Sequence, residues 1–245
     1  MINKIYPFKA LWSILALLPA LLSGCMSLAG SNPLGLGTSW QEEVLLHDGR
    51  TMVVDRSLSY GGRHEIGQPA PIKKQTVSFK LPDSSKTVIW TSEYSEDIGR
   101  ANFNLLAVHV LNDIPFIVAT PNLCLSYNKW GRPNPPYVFF KFNGTGWQQI
   151  SLKEFPTEFK TINIAIYLGG PDVAEMAGMG LVPAEKIQKA NQELRQPEYQ
   201  TILREPIKPE GNFGSSVTCE ELIWYKCGWG APGEFNRKYF EQTCK

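Results

Sequence analysis

The chain contains 245 residues, of which 19% are charged, and its formal net charge is +1. Lysine and arginine residues are scattered along it, so the sequence lacks the basic stripe that attracts a nucleic-acid backbone. Composition therefore predicts no nucleic-acid partner, and the length suits one all-β domain or two small ones.

The first residues follow the pattern of an export signal. Lys4 and Lys9 supply positive charge, and an apolar run of roughly 13 residues then extends to Leu22, which is within the range of a signal peptide. The run is shorter than the roughly 20 residues that a membrane-spanning helix needs. We therefore interpret residues 1–24 as a signal peptide.

The apolar run ends in Leu22-Ser23-Gly24-Cys25, which resembles the lipobox of bacterial lipoproteins. The resemblance implies cleavage before Cys25, diacylglycerol on its sulfur and acylation of its new amino group. A membrane contact through this N-terminal lipid would be stable because more than one acyl chain is attached. Met26 stands where an Asp would favour the inner membrane, so the periplasmic face of the outer membrane is expected. The alternatives are an ordinary secretory signal with a chance cysteine, or an uncleaved anchor.

Residues 25–39 are small and uncharged, as in a lipidated N-terminus that continues into a flexible tether. From Trp40 onward, short β-rich runs alternate with turn residues. Hairpin turns are predicted at Asp48-Gly49, Asn112-Asp113 and Asn143-Gly144. A last strand is predicted at 161–167. Residues 40–169 are thus predicted to form an antiparallel β meander, in a sandwich, barrel or blade-like arrangement.

From residue 170 to residue 245 the pattern predicts a helical, disulfide-stapled C-terminal region. Three helices are predicted first, at 173–179 after Asp172, at 184–196 after Pro183 and at 200–204. A further helix is predicted at 219–226, where Thr218 and Glu221 can form a capping box. The last predicted helix is short and has Phe235, Tyr239 and Phe240 on its inner face. The predicted fold class is therefore mainly β, with a short helical, cysteine-containing C-terminal appendage.

Four cysteines remain after Cys25, namely Cys124, Cys219, Cys227 and Cys244. An even number in an oxidising compartment favours disulfides, with three possible connectivities. If the segment between residues 219 and 227 is regular, its ends are about 12 Å apart as a helix or about 26 Å as a strand, whereas bonded cysteines need Cα atoms within roughly 7 Å. Our hypothesis is that one of these two reaches Cys124 and the other Cys244. The alternative is that some are free buried thiols.

The three histidines, His47, His64 and His109, lack the spacing of a zinc site, and no metal or other cofactor is predicted. His109 lies in an apolar run and is interpreted as a hydrogen-bonded core residue. After the signal peptide there is neither a nucleophile elbow nor a phosphate-binding glycine loop. No catalytic residue is assigned on this basis.

Two weaker catalytic patterns are present. Glu93, Glu96 and Asp97 offer the paired carboxylates that glycoside hydrolysis uses, although a solvated loop is the simpler interpretation. Cys124 paired with His109 or His64 would make a nucleophile, although a disulfide is the simpler interpretation in an oxidising compartment.

The segment 127–137 is the most distinctive loop of the sequence. Tyr127, Trp130, Arg132 and Tyr137 stand among three prolines, which reduce the entropy lost on ordering, and Trp, Tyr and Arg dominate binding hot spots. Our hypothesis is a contact surface for an envelope protein, peptide or glycan. The alternative is a rigid connection whose rings pack on the sheet.

Taken together, these patterns favour a membrane-anchored envelope lipoprotein that acts as a non-enzymatic binding or scaffold module. The alternative is an envelope hydrolase that acts on peptidoglycan or another glycan, through the carboxylates of residues 93–97 or through a Cys124–His pair. Carboxylates roughly 5–10 Å apart across a cleft would favour the hydrolase. A disulfide at Cys124 would eliminate its cysteine version.

Overall fold

The computed structural model describes residues 37–84, 86–166, 170–212 and 214–244. The signal peptide, Cys25 and most of the tether lie outside the described residues, so the lipobox stays a prediction. Strands account for more of the described chain than helices, and nearly all strand pairs are antiparallel. The prediction of a mainly β, antiparallel fold is confirmed.

The strands are β1 (Thr38–Leu45), β2 (Thr51–Tyr60), β3 (Ile72–Lys80), β4 (Thr87–Ser92), β5 (Tyr94–Ser95), β6 (Arg100–Ala101), β7 (Phe103–Leu111), β8 (Ile114–Pro121), β9 (Val138–Phe142), β10 (Trp147–Ile150), β11 (Leu181–Val182), β12 (Ile223–Tyr225) and β13 (Gly228–Gly230). The helices are α1 (Leu123–Lys129), α2 (Gly170–Met179), α3 (Ala184–Gln192) and α4 (Glu234–Thr243). Two 3₁₀ turns cover Pro197–Tyr199 and Ser216–Thr218.

Two sheets make up the main architecture. Sheet 1 has the strand order β11-β1-β2-β3-β4, with β11 parallel to β1, and sheet 2 has the order β10-β9-β8-β7. Each of the three predicted hairpins forms, because its turn residues join strands that pair directly, as in the β1–β2 register of Leu45 with Thr51. Two further pairs, β5–β6 and β12–β13, stand apart from these sheets.

The two sheets face each other across one apolar core, which makes the arrangement a sandwich. Burial alternates along β2 from residue 51 to residue 58, so every second side chain is buried, and Met52 and Val54 enter this core. Sheet 1 contributes Val44, Met52, Val54, Val77, Phe79, Val88 and Trp90. Sheet 2 contributes Phe103, Leu105, Val108, Val110, Ile117, Ala119 and Val138.

Sheet 2 is buried on both faces, which explains the continuous apolar runs of β7 and β8. Its second face packs against Phe155, Phe159, Ile162 and Ile202, which come from the segments that follow β10 and α3. The β7–β8 hairpin therefore lies in the interior of the fold, although β7 is an edge strand of sheet 2. Strands buried on both sides lose the alternation that half-exposed strands show.

The strand predicted at 161–167 is wrong over the described residues 161–166, which hold only an isolated bridge between Thr161 and Thr201. The segment lies beside β7, where Ile164 N donates to Leu106 O at 3.3 Å. The Asn163 side chain takes the place of a backbone partner: its Oδ1 accepts from Val108 N at 2.9 Å and its Nδ2 donates to Val108 O at 2.8 Å. A side chain thus satisfies the edge of β7 and prevents a regular ladder.

The helices α2 and α3 cover one end of sheet 1. Val173, Met176 and Ile187 are buried with Trp40 and Val182, so the first part of the predicted C-terminal region is packed on the sandwich. Helix α2 confirms the prediction at 173–179, but it begins at Gly170, so Asp172 lies within its first turn and not before the helix as predicted. Helix α3 ends before the predicted residue 196, because Glu193 forms its C-cap.

The short helix predicted at 200–204 is wrong. A 3₁₀ turn over Pro197–Tyr199 replaces it, and the chain then runs beside residues 160–161. Ile202 N donates to Lys160 O at 2.8 Å, and Thr201 bridges to Thr161. These hydrogen bonds to another segment compete with the local bonds of a helix.

A charged pair lies on the inner face of sheet 1. The side chains of Glu42 and Arg56 are both 0% exposed, and Arg56 Nη1 donates to the two carboxylate oxygens of Glu42 at 3.1 and 3.2 Å. Glu42 also accepts from Trp40 Nε1 at 2.6 Å and from Ala165 N at 3.1 Å. Burial lowers the pKa of Arg56, and the adjacent Glu42 opposes this shift. The carboxylate therefore has four hydrogen bonds that compensate its removal from water.

Gln75 extends this network to sheet 2. Its Oε1 accepts from Arg56 Nη2 at 3.1 Å and from Leu105 N at 3.3 Å, and its Nε2 donates to Phe103 O at 3.2 Å. The amide thereby satisfies backbone groups at the start of β7. A continuous polar network joins the two sheets inside an otherwise apolar region.

His109 is buried in β7, which confirms its interpretation as a core residue. Its Nε2 lies 2.9 Å from Thr161 O and its ring stacks on Phe159 with centroids 4.5 Å apart. Burial lowers the pKa of His109 to about 4, and the hydrogen bond to Thr161 only partly opposes this. The imidazole is therefore neutral at pH 7, and Nε2 carries the proton that it donates.

Candidate functional site

The segment 127–137, predicted as a contact loop, has two of its four singled-out side chains buried. Tyr127 lies within α1, and its side chain, like that of Tyr137, is 3% exposed. The Tyr137 hydroxyl is 2.9 Å and 3.0 Å from the carbonyl oxygens of Glu198 and Thr201. These contacts agree with the alternative interpretation, in which the segment is a rigid connection packed on the fold.

The other two residues of that hypothesis hold neighbouring segments in place. Trp130 Nε1 donates to Asn102 Oδ1 at 3.1 Å. Arg132 donates through Nη2 to Cys219 O at 2.7 Å and through Nη1 to Glu220 O at 2.9 Å. Arg132 therefore fixes the point at which the C-terminal part of the chain meets α1.

We call residues 219–244, which contain β12, β13 and α4, the C-terminal module. Disulfides join Cys124 to Cys219, with Cα atoms 5.4 Å apart, and Cys227 to Cys244, with Cα atoms 5.6 Å apart. The predicted presence of disulfides is confirmed. The pairs agree with the hypothesis that one of Cys219 and Cys227 bonds to Cys124 and the other to Cys244. One bond attaches the module to α1 and the other closes the module on itself.

The helix predicted at 219–226 is wrong, because this part of the module contains β12 and a two-residue turn before β13. Asn128 explains the extended conformation: its Nδ2 donates to Glu220 O at 3.0 Å and its Oδ1 accepts from Leu222 N at 2.8 Å. Together with Arg132, this amide binds the backbone groups that a helix would need for itself.

Helix α4 confirms the predicted last helix, but its predicted inner face is wrong in part. Phe240 stacks on Tyr225 with centroids 5.3 Å apart, and it packs so closely on β13 that a Cβ at Gly230 would lie 2.9 Å from its ring. Phe235 is 81% exposed and Tyr239 is 51% exposed. Only one of the three aromatic rings therefore faces inward.

A cleft of about 930 Å³ opens between the C-terminal module and the turn 96–99, which joins β5 to β6. This volume is near the upper end of the range that small-molecule sites occupy. Its lining includes the cations Arg63, Arg100 and Lys226, the carboxylates Glu96 and Asp97, and the indoles Trp224 and Trp229. Of these, only the two carboxylates were candidates from the sequence.

Asp97 is the residue that ties the two walls of the cleft together. Its carbonyl oxygen accepts from Trp229 Nε1 at 3.1 Å, and its carboxylate accepts from Lys129 Nζ at 2.8 Å. Burial alone would raise the pKa of Asp97, but the hydrogen bonds from Lys129 and Ser95 outweigh it and keep the pKa below its ordinary value. Gly99, at φ +77°, closes the turn by donating to Ser95 O at 2.8 Å. Asp97 is therefore an ionised, structural carboxylate.

The three cations of the cleft are not engaged in ion pairs with any described carboxylate. Arg63 makes one long hydrogen bond, of 3.4 Å, from Nη2 to Asp97 O. Arg63 and Lys226 are exposed and Arg100 is half-buried. Their charges are therefore free to act on a ligand in the cleft.

The two indoles form an apolar corner in the cleft. Their ring centroids are 5.5 Å apart and their planes are inclined by 61°. Trp229 is fixed through its hydrogen bond to Asp97, whereas Trp224 is 40% exposed. Trp224 thus presents free aromatic surface beside a ring that is held in place. The concentration of tryptophan among the C-terminal cysteines is the sequence signal that could have pointed to this corner.

The catalytic alternatives receive little support from these positions. Cys124 is in a disulfide, which eliminates it as a nucleophile. Glu93 lies 3.5 Å from Lys74 and is not among the residues that line the cleft. A general acid needs a raised pKa, and that of Asp97 is lowered. Within the described ranges, no three His, Cys, Asp or Glu side chains are grouped to hold a metal ion.

Comparison with protein-family models, with curated proteins and with solved structures finds no match to this chain. The case for a function therefore depends on the geometry of its own residues. In the part of the chain that the structure describes, no helix has the length and apolar character needed to cross a bilayer.

Proposed function

We propose that the protein is a lipid-anchored envelope lipoprotein, attached through Cys25 at the periplasmic face of the outer membrane, that binds a ligand in the cleft without transforming it. The observation that carries the binding role is the cleft itself, where three cations with no described ion-pair partner line the same space as Trp224 and Trp229. Polar groups that converge on apolar surface are the usual composition of a binding site.

The construction of the cleft supports binding rather than hydrolysis. Its second wall is attached by the Cys124–Cys219 disulfide and by Arg132, so the two walls are held in one geometry before a ligand arrives. Preorganisation of this kind reduces the entropy lost on association. A carboxylate pair with one raised pKa, which glycoside hydrolysis uses, has no counterpart in the ionised Asp97.

The disulfides also support export, because such bonds persist in oxidising compartments. The lipobox-like segment supports the anchor, and the uncharged residues that follow it would let the folded part extend from the membrane. Replacement of Cys25 by Ala tests this part of the proposal. We expect the wild type to fractionate with the outer membrane and to incorporate palmitate, and Cys25→Ala to lose both properties. A wild type that stays soluble would refute the anchor.

The binding role is tested by photo-crosslinking in intact cell envelopes. A benzoylphenylalanine introduced at Leu125, which lines the cleft, leaves Trp224 in place, and the same group at Phe235 is a control on the exposed face of α4. We expect a discrete crosslinked species from position 125 that is weaker or absent from position 235. Equal patterns from the two positions would refute the cleft as the binding site.

A further inference from the structure

The charge of the cleft favours an anionic ligand. Arg63, Arg100 and Lys226 have no described carboxylate partner, whereas the charge of Asp97 is compensated by Lys129 at 2.8 Å. Glu96 is then the one lining carboxylate with no described ion-pair partner. Three cations against one anion leave an excess of positive charge around the indole corner. Arginine in particular matches the geometry of carboxylate and phosphate groups.

The apolar part of the lining has the shape for a flat ring. Trp224 is 40% exposed, and the inclined ring of Trp229 bounds it on one side. A pyranose ring has one flat face of C–H groups, which packs on an indole, and a rim of hydroxyls, which bond to charged side chains. Glu96 is available to accept from such hydroxyls. A lining that alternates indoles with charged groups therefore suits a sugar.

A peptide fits this site less well. Peptides that add a strand to a sheet need a long exposed edge, and the strands next to the cleft, β5, β6, β12 and β13, have two or three residues each. An amphipathic helix needs a continuous apolar groove. Here charged side chains interrupt the apolar surface.

We infer that the cleft binds an acidic glycan, a sugar chain with carboxylate or phosphate groups, with Trp224 against a sugar face and Arg63, Arg100 and Lys226 at the anionic groups. This assignment rests on the proposed binding function of the same cleft. It specifies the ligand by chemistry: a neutral glycan lacks the anionic groups, and an acidic peptide lacks the flat face.

The test measures binding to the full, lipidated protein in detergent by isothermal titration calorimetry. The probes are tetragalacturonate, neutral galactotetraose, a tetraglutamate peptide of equal charge, and a phosphorylated oligomannose. We expect the acidic sugars to bind about fivefold tighter than galactotetraose, or more. We expect tetraglutamate to bind more weakly than either acidic sugar. Which acidic sugar binds tighter identifies carboxylate or phosphate as the preferred group.

Four variants separate the contributions, and thermal unfolding shows that each is folded. Trp224→Ala should weaken binding of the acidic sugars about tenfold or more, and Phe235→Ala should not. Lys226→Gln should reduce the preference for acidic over neutral sugar. Lys238→Gln, in the same module but paired with Glu234 outside the cleft, should leave that preference unchanged.

Three results would overturn the inference. Tetraglutamate that binds as tightly as the acidic sugars would show that charge alone is recognised, or that the ligand is a peptide. A galactotetraose affinity equal to that of the acidic sugars would refute the role of the cations. Failure of every sugar to bind, while position 125 still crosslinks in envelopes, would refute the ligand class and leave the proposed function standing. Loss of the crosslink as well would refute both.

Discussion

Replacement of Arg56 by Met removes one half of the ion pair buried on sheet 1. The Met side chain fills part of the same apolar volume, but Glu42 loses both hydrogen bonds from Arg56 Nη1. It keeps the bonds from Trp40 Nε1 at 2.6 Å and from Ala165 N at 3.1 Å. These neutral donors do not replace a positive charge, so a carboxylate with 0% exposure is left uncompensated.

The expected loss is about 3–5 kcal/mol of the free energy of unfolding, the range for buried pairs that lose one partner. This is a large part of the roughly 5–15 kcal/mol that stabilises a typical protein. Two further losses act in the same direction. Gln75 Oε1 loses the hydrogen bond from Arg56 Nη2, and the Trp40 ring loses the guanidinium that lies 5.3 Å from its centroid. Urea denaturation of the purified protein, followed by tryptophan fluorescence, measures the change.

Two variants control this prediction. The double variant Glu42→Gln/Arg56→Met keeps an acceptor for Trp40 Nε1 but removes the buried charge, so it should be more stable than Arg56→Met alone. Lys186→Met breaks a solvent-exposed pair with Glu175 and should cost less than about 1 kcal/mol. If Arg56→Met also cost less than about 1 kcal/mol, or if the double variant were the least stable, the argument from the uncompensated charge would be refuted.

Two further predictions concern His109 and the disulfide at α1. Because the pKa of His109 falls to about 4 in the fold, the unfolded chain binds more protons between about pH 6.5 and pH 4, and acidification over this window should lower the free energy of unfolding by about 3 kcal/mol. His109→Gln should flatten this pH dependence in urea titrations. Removal of the bond by Cys124→Ser/Cys219→Ser, which are 95 residues apart, should cost about 3–5 kcal/mol and speed proteolysis of the C-terminal module.

The controls for these two predictions use exposed counterparts. His64 is exposed, so His64→Gln should keep the acid sensitivity of the wild type. A slope that persists in His109→Gln would assign the acid sensitivity to other groups. For the disulfide, limited proteolysis should release the module from the variant while the sandwich stays intact. Equal proteolysis rates in variant and wild type would show that Arg132 and Asn128 hold the module without the bond.

The hairpins of the sandwich were predictable because their signals are local. Asp48-Gly49, Asn112-Asp113 and Asn143-Gly144 each join two runs that pair across the turn. The false predictions arise where distant groups take over the backbone. At 161–166 the Asn163 side chain takes the backbone hydrogen bonds of Val108 that a neighbouring strand would otherwise make. At 220–222 the Asn128 side chain holds the backbone extended, although the local sequence predicts a helix.

The burial of the charged pair is indicated by the pattern of the sequence. Period-two alternation places Glu42 on the face of Trp40 and Val44, and it places Arg56 on the face of Val54. Opposite charges at inward positions of two strands that one tight turn joins would have indicated a buried pair. For the cleft, the tryptophans among the C-terminal cysteines indicate an aromatic surface but not what it faces, because Trp229 and Asp97 are 132 residues apart and meet only through the disulfide-attached module.

The two walls of the cleft differ in how freely their sequences can change over evolution. The wall at turn 96–99 rests on Ile98, which is 4% exposed, so substitutions beneath it disturb the core. In the module, by contrast, no described side chain of α4 is buried, and two disulfides hold the segment covalently. Selection for a different ligand can therefore alter residues such as Trp224 and Lys226 at little cost in folding, while the sandwich that supports them stays constant.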